Sequence, residues 1–216
     1  AEERLMDSTL ETMKTGTSTI GICFKDGVIV GADHRATMGH FIANKNVQKL
    51  FAISNKVALT TAGLVGDAQV LARVLAAEIA LFEMKRDTEM TVEAASTLTA
   101  NILSGRRYAP YWVQLLIAGV DADGGHVYSI DSAGGSIPDS YCATGSGSPY
   151  MYGVLEDQYK DGMTRNEALK VTARALLASS QRDSASGNGM DLAVITMKDG
   201  FKLLTLAEKE TLLKSI

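Results

Sequence analysis

The junction between Gly16 and Thr17 is the strongest chemical signal in the sequence, because a polar leader meets the first predicted β-strand there. A threonine hydroxyl becomes a useful nucleophile when a base takes its proton, and one such base is the residue's own α-amino group. That group is free only after the preceding peptide bond is cut, and Gly16 makes such a cut sterically easy. Its ordinary pKa is about 7.7 to 8.0, so a nearby cation would bring it close to neutrality. By itself, the junction also fits an ordinary threonine at the start of a strand.

Other common catalytic signatures are absent from the sequence. It has no Gly-Lys-Ser/Thr phosphate loop, no HExxH helix and no GxSxG elbow, and residues 145–147 lack the third glycine of a dinucleotide loop. The three histidines, His34, His40 and His126, do not lie beside a nucleophile motif, so a Ser/His/Asp triad has little support. We therefore expect neither a cofactor nor a metal.

The elements that would position Thr17 are short strands and paired helices. Strands are predicted at 17–24, 28–32, 47–54, 57–62, 113–120, 126–130, 140–144, 192–197 and 201–206. Helices are predicted after Gly66, with Asp67 as cap and an apolar face at Val70, Leu71, Val74, Leu75, Ile79 and Phe82, and at 91–103, 149–159 and 164–180. Thr164 and Glu167 form a capping-box signature. Short turns between strands indicate antiparallel sheets, so the order predicts an α+β fold, a four-layer α/β/β/α sandwich with two packed sheets.

Composition and charge exclude several classes of protein. The chain has 216 residues, of which 46% are hydrophobic and 21% charged, as in ordinary globular domains. A net charge of −4 provides no basic surface for nucleic acid or anionic lipid, and no apolar stretch is long enough to span a membrane. Residues 1–16 lack the apolar region of a secretory signal, and Cys23 and Cys142 form no CxxC pair. These features favour a cytoplasmic protein.

Seven segments, in order along the chain, resemble those of a known family. They are TSTIGI at 17–22, DHR at 33–35, NKNVQKLF at 44–51, AGLVGD at 62–67, SIDSAGG at 129–135, TGSGSP at 144–149 and QRDSASG at 181–187. Together they resemble the archaeal-like proteasome β subunits of the N-terminal-nucleophile hydrolase superfamily, from Thr17 to about Leu206. The resemblance implies a threonine-type endopeptidase made of a propeptide, 1–16, and one catalytic domain, 17–216.

The resemblance implies that Thr17 is the nucleophile and its freed amine the base. Lys49 would lie near the Thr17 hydroxyl and favour the deprotonated amine by its charge, while Asp33 orients that lysine and keeps it ionised. From the charge pattern alone, a solvated surface pair is the better interpretation of Lys49 and Asp33, since most Lys and Asp side chains are exposed, and only the matched positions favour a catalytic role. Arg35 would either support this network or be purely structural.

Four further residues match functional positions of the family, one through its backbone and three through polar side chains. The backbone N–H of Gly63 would stabilise the oxyanion, since glycine lets the backbone approach the substrate closely. Ser146, Asp183 and Ser186 would surround the threonine amine and relay protons. Without the resemblance, Gly63 is a turn glycine before a helix and the other three are ordinary loop residues.

The resemblance also implies a substrate pocket and partners. Ala36, Val47, Thr61 and Val65 would line an apolar pocket for the side chain before the cut, although ordinary core packing explains them equally well. Substrate would bind as an extended strand. The leader would be removed at Gly16-Thr17 by Thr17 itself after assembly with proteasome α subunits and other β subunits in stacked seven-membered rings. An ATP-dependent unfoldase would deliver unfolded protein substrates.

Two other functions compete with this interpretation. A noncatalytic ring subunit would keep the sandwich and lose part of the set formed by Thr17, Asp33, Lys49, Ser146 and Asp183, which this sequence retains. A different N-terminal-nucleophile hydrolase would cleave small amides. Degradation of an unfolded protein distinguishes a proteasome subunit from such a small-amide hydrolase.

Overall fold

A computed structural model describes residues 16–216, so most of the predicted leader lies outside the described residues. The elements follow the chain in this order: β1 (Thr19–Phe24), β2 (Gly27–Asp33), β3 (Ala36–Met38), β4 (Phe41–Asn44), β5 (Leu50–Ala52), β6 (Val57–Gly63), α1 (Val65–Arg86), α2 (Val92–Ser104), β7 (Val113–Asp121), β8 (Gly124–Ile130), β9 (Ser136–Asp139), β10 (Tyr141–Thr144), α3 (Ser148–Gln158), α4 (Arg165–Arg182), β11 (Met190–Thr196), β12 (Gly200–Leu203) and α5 (Leu206–Leu213).

Two five-stranded antiparallel sheets form the centre of the fold. The first has the strand order β10-β1-β2-β11-β12 and the second β5-β6-β7-β8-β9, while β3 and β4 form a separate hairpin. The first sheet packs on α3 and α4 through Ile20, Ile22, Ile29 and their neighbours. Because side chains alternate along a strand, Val28 and Val30 of β2 point to the other face of that sheet.

Three apolar layers hold the four layers of secondary structure together. One lies between the first sheet and α3 and α4, one between the two sheets, and one between the second sheet and the pair α1 and α2. The predicted α/β/β/α sandwich is therefore confirmed. Both sheets are covered on both faces, which is why β1 and β2 are buried along almost their whole length.

The prediction that Asp67 caps α1 is wrong. The helix begins at Val65 after Leu64, which makes no side-chain capping bond. Asp67 Oδ2 instead accepts a hydrogen bond of 2.9 Å from the backbone N–H of Trp112. The carboxylate lies in the first turn, where the helix dipole favours a negative charge, and it ties α1 to the residue before β7.

The predicted apolar face of α1 is only partly right. Leu71, Leu75 and Ile79 are buried as predicted, but Val70 and Val74 are exposed. The buried stripe runs instead through two alanines, Ala68 and Ala72. Small side chains let the helix approach the second sheet closely. Apolar periodicity alone does not show whether the alanines or the valines of a helix face the sheet.

Candidate active site

Thr17 lies just before β1 and is only 2% exposed. Its Oγ1 donates a hydrogen bond of 2.7 Å to the carbonyl oxygen of Gly16. Its backbone nitrogen, here a peptide nitrogen, donates a bond of 3.1 Å to Ser146 Oγ. The Gly16 N–H in turn donates to Thr37 Oγ1 at 3.2 Å. The peptide bond between Gly16 and Thr17 is therefore held on both sides by buried or partly buried hydroxyls.

Lys49 and Asp33 form a buried ion pair beside this peptide bond. Lys49 Nζ lies 2.7 Å from Asp33 Oδ1, and the two side chains are 5% and 3% exposed. Lys49 Nζ also donates to the carbonyl oxygen of Arg35 at 2.5 Å. Asp33 ends β2 in the first sheet, whereas Lys49 directly precedes β5 in the second. The pair therefore joins the two sheets at the site.

Three backbone N–H groups fix the carboxylate of Asp33. Oδ1 accepts from Ser18 at 2.9 Å, and Oδ2 accepts from Arg35 at 3.0 Å and from Gly187 at 2.9 Å. Each of these donors replaces a water molecule that the carboxylate loses on burial, so its oxygens stay hydrogen-bonded. The pKa of Lys49 is lowered by burial, and the negative charge of Asp33 opposes that shift. Asp33 thus holds the Lys49 ammonium in place and opposes the loss of its charge that burial favours.

Hydroxyl groups and one carboxylate extend from the backbone nitrogen of Thr17. Ser146 Oγ, which accepts from Thr17, donates to Asp183 Oδ2 at 2.6 Å. Ser186 Oγ donates to the same oxygen at 2.6 Å and lies 2.7 Å from Ser18 Oγ. Ser146 is exposed and Ser186 fully buried, so the chain of hydrogen bonds runs from solvent into the core.

A narrow cavity of about 10 Å³ opens next to Thr17, with space for about one water molecule. Its lining includes the predicted site residues Thr17, Lys49, Gly63, Ala36, Val47, Thr61 and Val65. Gly16 also lines it, so the residue before the predicted cut occupies the space next to Thr17. The four predicted pocket residues are therefore together, on the same side of Thr17 as Gly63.

Gly63 has a backbone conformation that requires glycine. Its φ is +121°, and a Cβ atom there would lie 2.1 Å from the carbonyl oxygen of Trp112. The residue is the last of β6 and pairs with Val113 of β7. The strand and its neighbour thus hold the Gly63 backbone at the cavity wall.

Arg35 connects the end of β2 to the loop 183–189. Its Nε donates to Asn188 Oδ1 and its Nη1 to the carbonyl oxygen of Ser184, both at 2.7 Å. This loop carries Asp183 and Ser186. Of the two roles left open for Arg35, the contacts favour support of the site, because the guanidinium fork restrains the loop that presents both polar groups.

The structure brings all the sequence-predicted site residues together, and it adds three that sequence reasoning missed. Ser18 and Ser179 are fully buried and their hydroxyls contact each other, which extends the chain beyond Ser186. Thr37 accepts from Gly16. Ser18 adjoins the predicted nucleophile Thr17, which was an available signal, but nothing in the spacing of Ser179 or Thr37 indicates their contacts.

Within residues 16–216, no group of three or more His, Cys, Asp or Glu side chains could hold a metal ion. No helix in that same part of the chain is long and apolar enough to cross a membrane.

Comparison with known proteins identifies the family. The profile described as "Proteasome subunit" matches residues 13–195. The "Proteasome subunit beta" of Thermoplasma acidophilum is 49% identical over 206 residues, which cover 95% of this chain and 97% of the relative. The chain belongs to the proteasome β-subunit family. The β subunit of Picrophilus torridus is also 49% identical, over 96% of this chain and 98% of its own. That of Methanosarcina thermophila is 50% identical, over 88% and 90%.

The resemblance to archaeal-like proteasome β subunits is therefore confirmed. The matches extend along nearly the whole chain, so they cover both sheets and both helix pairs of the sandwich. The geometry around Thr17 accordingly belongs to a proteasome β subunit.

Proposed function

We propose that the chain is a catalytic β subunit of the proteasome core particle, a threonine-type endopeptidase that first removes its own leader. The observation that carries this proposal is the position of the Thr17 hydroxyl, 2.7 Å from the Gly16 carbonyl oxygen and in the same cavity as Lys49. The ion pair of Lys49 and Asp33 is buried, and burying two charges costs desolvation free energy that packing alone would not require, which supports a role for the pair in the chemistry.

Leader removal starts from the bond between Gly16 and Thr17. Thr17 Oγ attacks the Gly16 carbonyl carbon, and the hydroxyl proton passes to the threonine nitrogen as the carbon–nitrogen bond breaks. The product is an ester between Gly16 and Thr17 Oγ. Water then hydrolyses the ester, releasing the leader with a carboxyl end and leaving Thr17 with a free α-amine. Lys49 stabilises the developing negative charge on oxygen.

Peptide hydrolysis uses the amine produced by this first cut. The α-amine of Thr17 takes the hydroxyl proton, directly or through a water, and Oγ attacks the substrate carbonyl. The positive charge of Lys49 lowers the pKa of the amine and favours the alkoxide. The Gly63 N–H stabilises the oxyanion. Ser146, Asp183 and Ser186 orient the amine and relay the proton to the leaving nitrogen, and water hydrolyses the acyl ester.

The substrate is an unfolded protein, bound as an extended strand whose backbone supplies most of the affinity. Ala36, Val47 and Val65 give the pocket an apolar wall, supporting cleavage after hydrophobic residues. The pocket has little free space while Gly16 is present. Removal of the leader therefore creates the space for a substrate side chain. Assembly follows the family: rings of this chain with rings of α subunits, supplied with substrate by an ATP-dependent unfoldase.

The alternative of a noncatalytic ring subunit is weakened by the contacts between the polar residues. A scaffold subunit has no use for a threonine hydroxyl that shares a cavity with a buried lysine and whose residue is hydrogen-bonded to a chain of hydroxyls. A small-amide hydrolase of the same superfamily would use similar chemistry. It would differ in failing to degrade an unfolded protein such as casein.

Intact mass tests this function most directly. We expect the chain mixed with its α partner to lose residues 1–16, and the Thr17→Ala chain to keep them. Thr97→Ala is the control, because Thr97 is an exposed threonine on α2. Retention of the leader by both the unchanged and Thr17→Ala chains, in rings seen by electron microscopy, would instead support the noncatalytic subunit.

A further inference from the structure

Three threonine hydroxyls meet between the two sheets, directly behind the candidate site. Thr60 Oγ1 donates to Thr19 Oγ1 at 2.8 Å, and Thr19 Oγ1 lies 2.6 Å from Thr144 Oγ1. Thr19 and Thr144 are register partners in the first sheet. Thr60 lies on β6 in the second sheet, so its bond to Thr19 joins the sheets.

This threonine cluster, Thr19, Thr60 and Thr144, lies in an apolar setting. The three side chains are 0%, 0% and 6% exposed. The layer between the sheets otherwise consists of residues such as Val30, Leu50 and Leu116. Leu50 and Leu116 are also the strand neighbours of Thr60. Three valines of the same shape would bury as much surface without needing hydrogen-bond partners, so packing alone gives no reason for three hydroxyls.

Each threonine of the cluster is close along the chain to a different part of the site. Thr19 lies two residues after Thr17. Thr144 lies two residues before Ser146. Thr60 adjoins the pocket residue Thr61, whose N–H donates to the carbonyl oxygen of Lys49 at 3.0 Å. The cluster thus connects the segments that carry the nucleophile, the polar chain and the cation.

The two sheets carry different halves of the chemistry. Thr17, Asp33 and Ser146 are placed by strands of the first sheet, whereas Lys49 and Gly63 are placed by β5 and β6 of the second. Apolar contacts between sheets are non-directional, so they oppose small sliding movements of one sheet over the other only weakly. A hydrogen bond is directional and short-ranged. The bond from Thr60 to Thr19 therefore restrains the offset between the halves, together with the ion pair of Lys49 and Asp33 at the site.

We propose that Thr19, Thr60 and Thr144 are positioning residues, and that the bond from Thr60 to Thr19 sets the distance between Thr17 and β6. That strand carries Gly63, and its Thr61 N–H donates to the Lys49 carbonyl oxygen. This inference rests on the proposed function. The cluster touches neither substrate nor reacting atoms, and it acts through the two strands it joins.

Thr60→Val tests the proposal cleanly, because Thr19 keeps Thr144 as a partner and no hydroxyl is left unpaired. In the assembled, processed particle with a fluorogenic peptide, we expect kcat to fall about tenfold to a hundredfold with KM changed less than about twofold, as for reacting groups displaced by a fraction of an ångström. We expect leader removal to slow by a similar factor. Thr60→Ser keeps the hydroxyl and should restore most of kcat.

Two further variants separate positioning from stability. Thr99→Val removes an equally buried hydroxyl that donates to Ala95 within α2, so it should leave kcat unchanged. Thr144→Val keeps the bond between the sheets and should reduce kcat less than Thr60→Val. If Thr60→Val does not assemble, the variant with valine at all three positions replaces it, because it leaves no buried hydroxyl without a partner. It also lacks the bond between the sheets, so the same fall in kcat is expected.

The proposal fails if the Thr60→Val particle turns over at the unchanged rate, or if Thr60→Ser does not restore kcat. It also fails if Thr144→Val is the more damaging variant, or if Thr99→Val reduces kcat to the same extent. Assembled particles of the unchanged chain that cleave nothing would overturn the proposed function and this inference with it. An active unchanged chain beside an equally active Thr60→Val would overturn the inference alone.

Discussion

At the scale of single residues, Gly16 is tightly constrained by its neighbours next to Thr17. A Cβ atom on it would lie 1.8 Å from the Cβ of Ala185 and 2.9 Å from Ser146 Oγ. Both contacts are closer than atoms tolerate, and one is with the hydroxyl that accepts from the Thr17 nitrogen. The position before the predicted cut therefore admits no side chain while the site keeps its arrangement.

We predict that Gly16→Ala prevents or strongly slows leader removal, because the added methyl group moves the scissile carbonyl away from Thr17 Oγ. The expected loss is at least about a hundredfold in rate, typical of misplaced reacting atoms, measured by intact mass during assembly. Gly66→Ala is the matched control, since a Cβ there meets nothing within 4 Å. Processing of Gly16→Ala at the unchanged rate would contradict the prediction.

The types of the site residues were predictable from sequence, but their environments were not. Lys49 and Asp33 read as a solvated pair by charge pattern, because the sequence does not show that the two sheets close over them. The resemblance supplied the pair, and the fold explains its burial. Ser179 could not be predicted at all, since its contact with Ser18 depends on how α4 packs against the start of β1.

At the scale of elements, the loop 183–189 depends on Arg35 for its position. We predict that Arg35→Lys lowers kcat about tenfold at nearly constant KM, because the ammonium cannot reproduce the two bonds of the guanidinium and the loop presents Asp183 less accurately. Steady-state kinetics on the processed particle measures this.

Arg174→Lys is the control for Arg35→Lys. Arg174 also uses its guanidinium, donating to Gln158 at 3.1 Å on the exposed surface of α3 and α4, but it is remote from the loop. Equal losses of kcat in the two variants would show that the effect is not specific to the loop.

Sequence patterns predicted the long elements and missed the short ones. The hairpin of β3 and β4 and the strand β9 were not predicted, because three or four residues carry little periodicity, and Pro138 in β9 argues against a strand away from an edge. The predicted strand 47–54 is shorter in the structure, where β5 begins at Leu50. Residues 47–49 lie before the sheet, and Lys49 extends into the site.

A capping box with both partners present was a better signal than a single capping residue such as Asp67 or an apolar run. The predicted capping box of Thr164 and Glu167 is confirmed at the start of α4. A second box, Thr205 with Glu208, begins α5, where the sequence pattern had predicted the end of a strand. The apolar run at 201–206 concealed that boundary, although both residues of the box were present in the sequence.

At the scale of the whole molecule, both cysteines report on whether the sandwich is intact. Cys142 is buried between the sheets. Burial raises the pKa of Cys23 to about 11, with Asp139 and Asp161 adding to the shift. At pH 8 its thiolate fraction is then about a hundredfold below that of a thiol with the ordinary value of 9.0.

We therefore predict that neither thiol reacts appreciably with a disulfide reagent in the folded protein at pH 8, and that both react at once in guanidinium chloride. Absorbance of the released thiolate counts the groups. Raising the pH toward 11 in the folded state should accelerate labelling of Cys23 before that of Cys142. Rapid labelling of one thiol per folded chain at pH 8 would show that Cys23 is more accessible than its burial indicates.

The close packing around Gly16 also determines the stage at which this position must be glycine. If Thr17 removes the leader, Gly16 leaves with it, so a residue that admits no substitution during assembly is absent from every working copy of the enzyme. A chain begun at Thr17 carries no such restriction, and its turnover would be independent of what once preceded the threonine. The requirement for glycine at position 16 thus applies to leader removal and not to peptide hydrolysis.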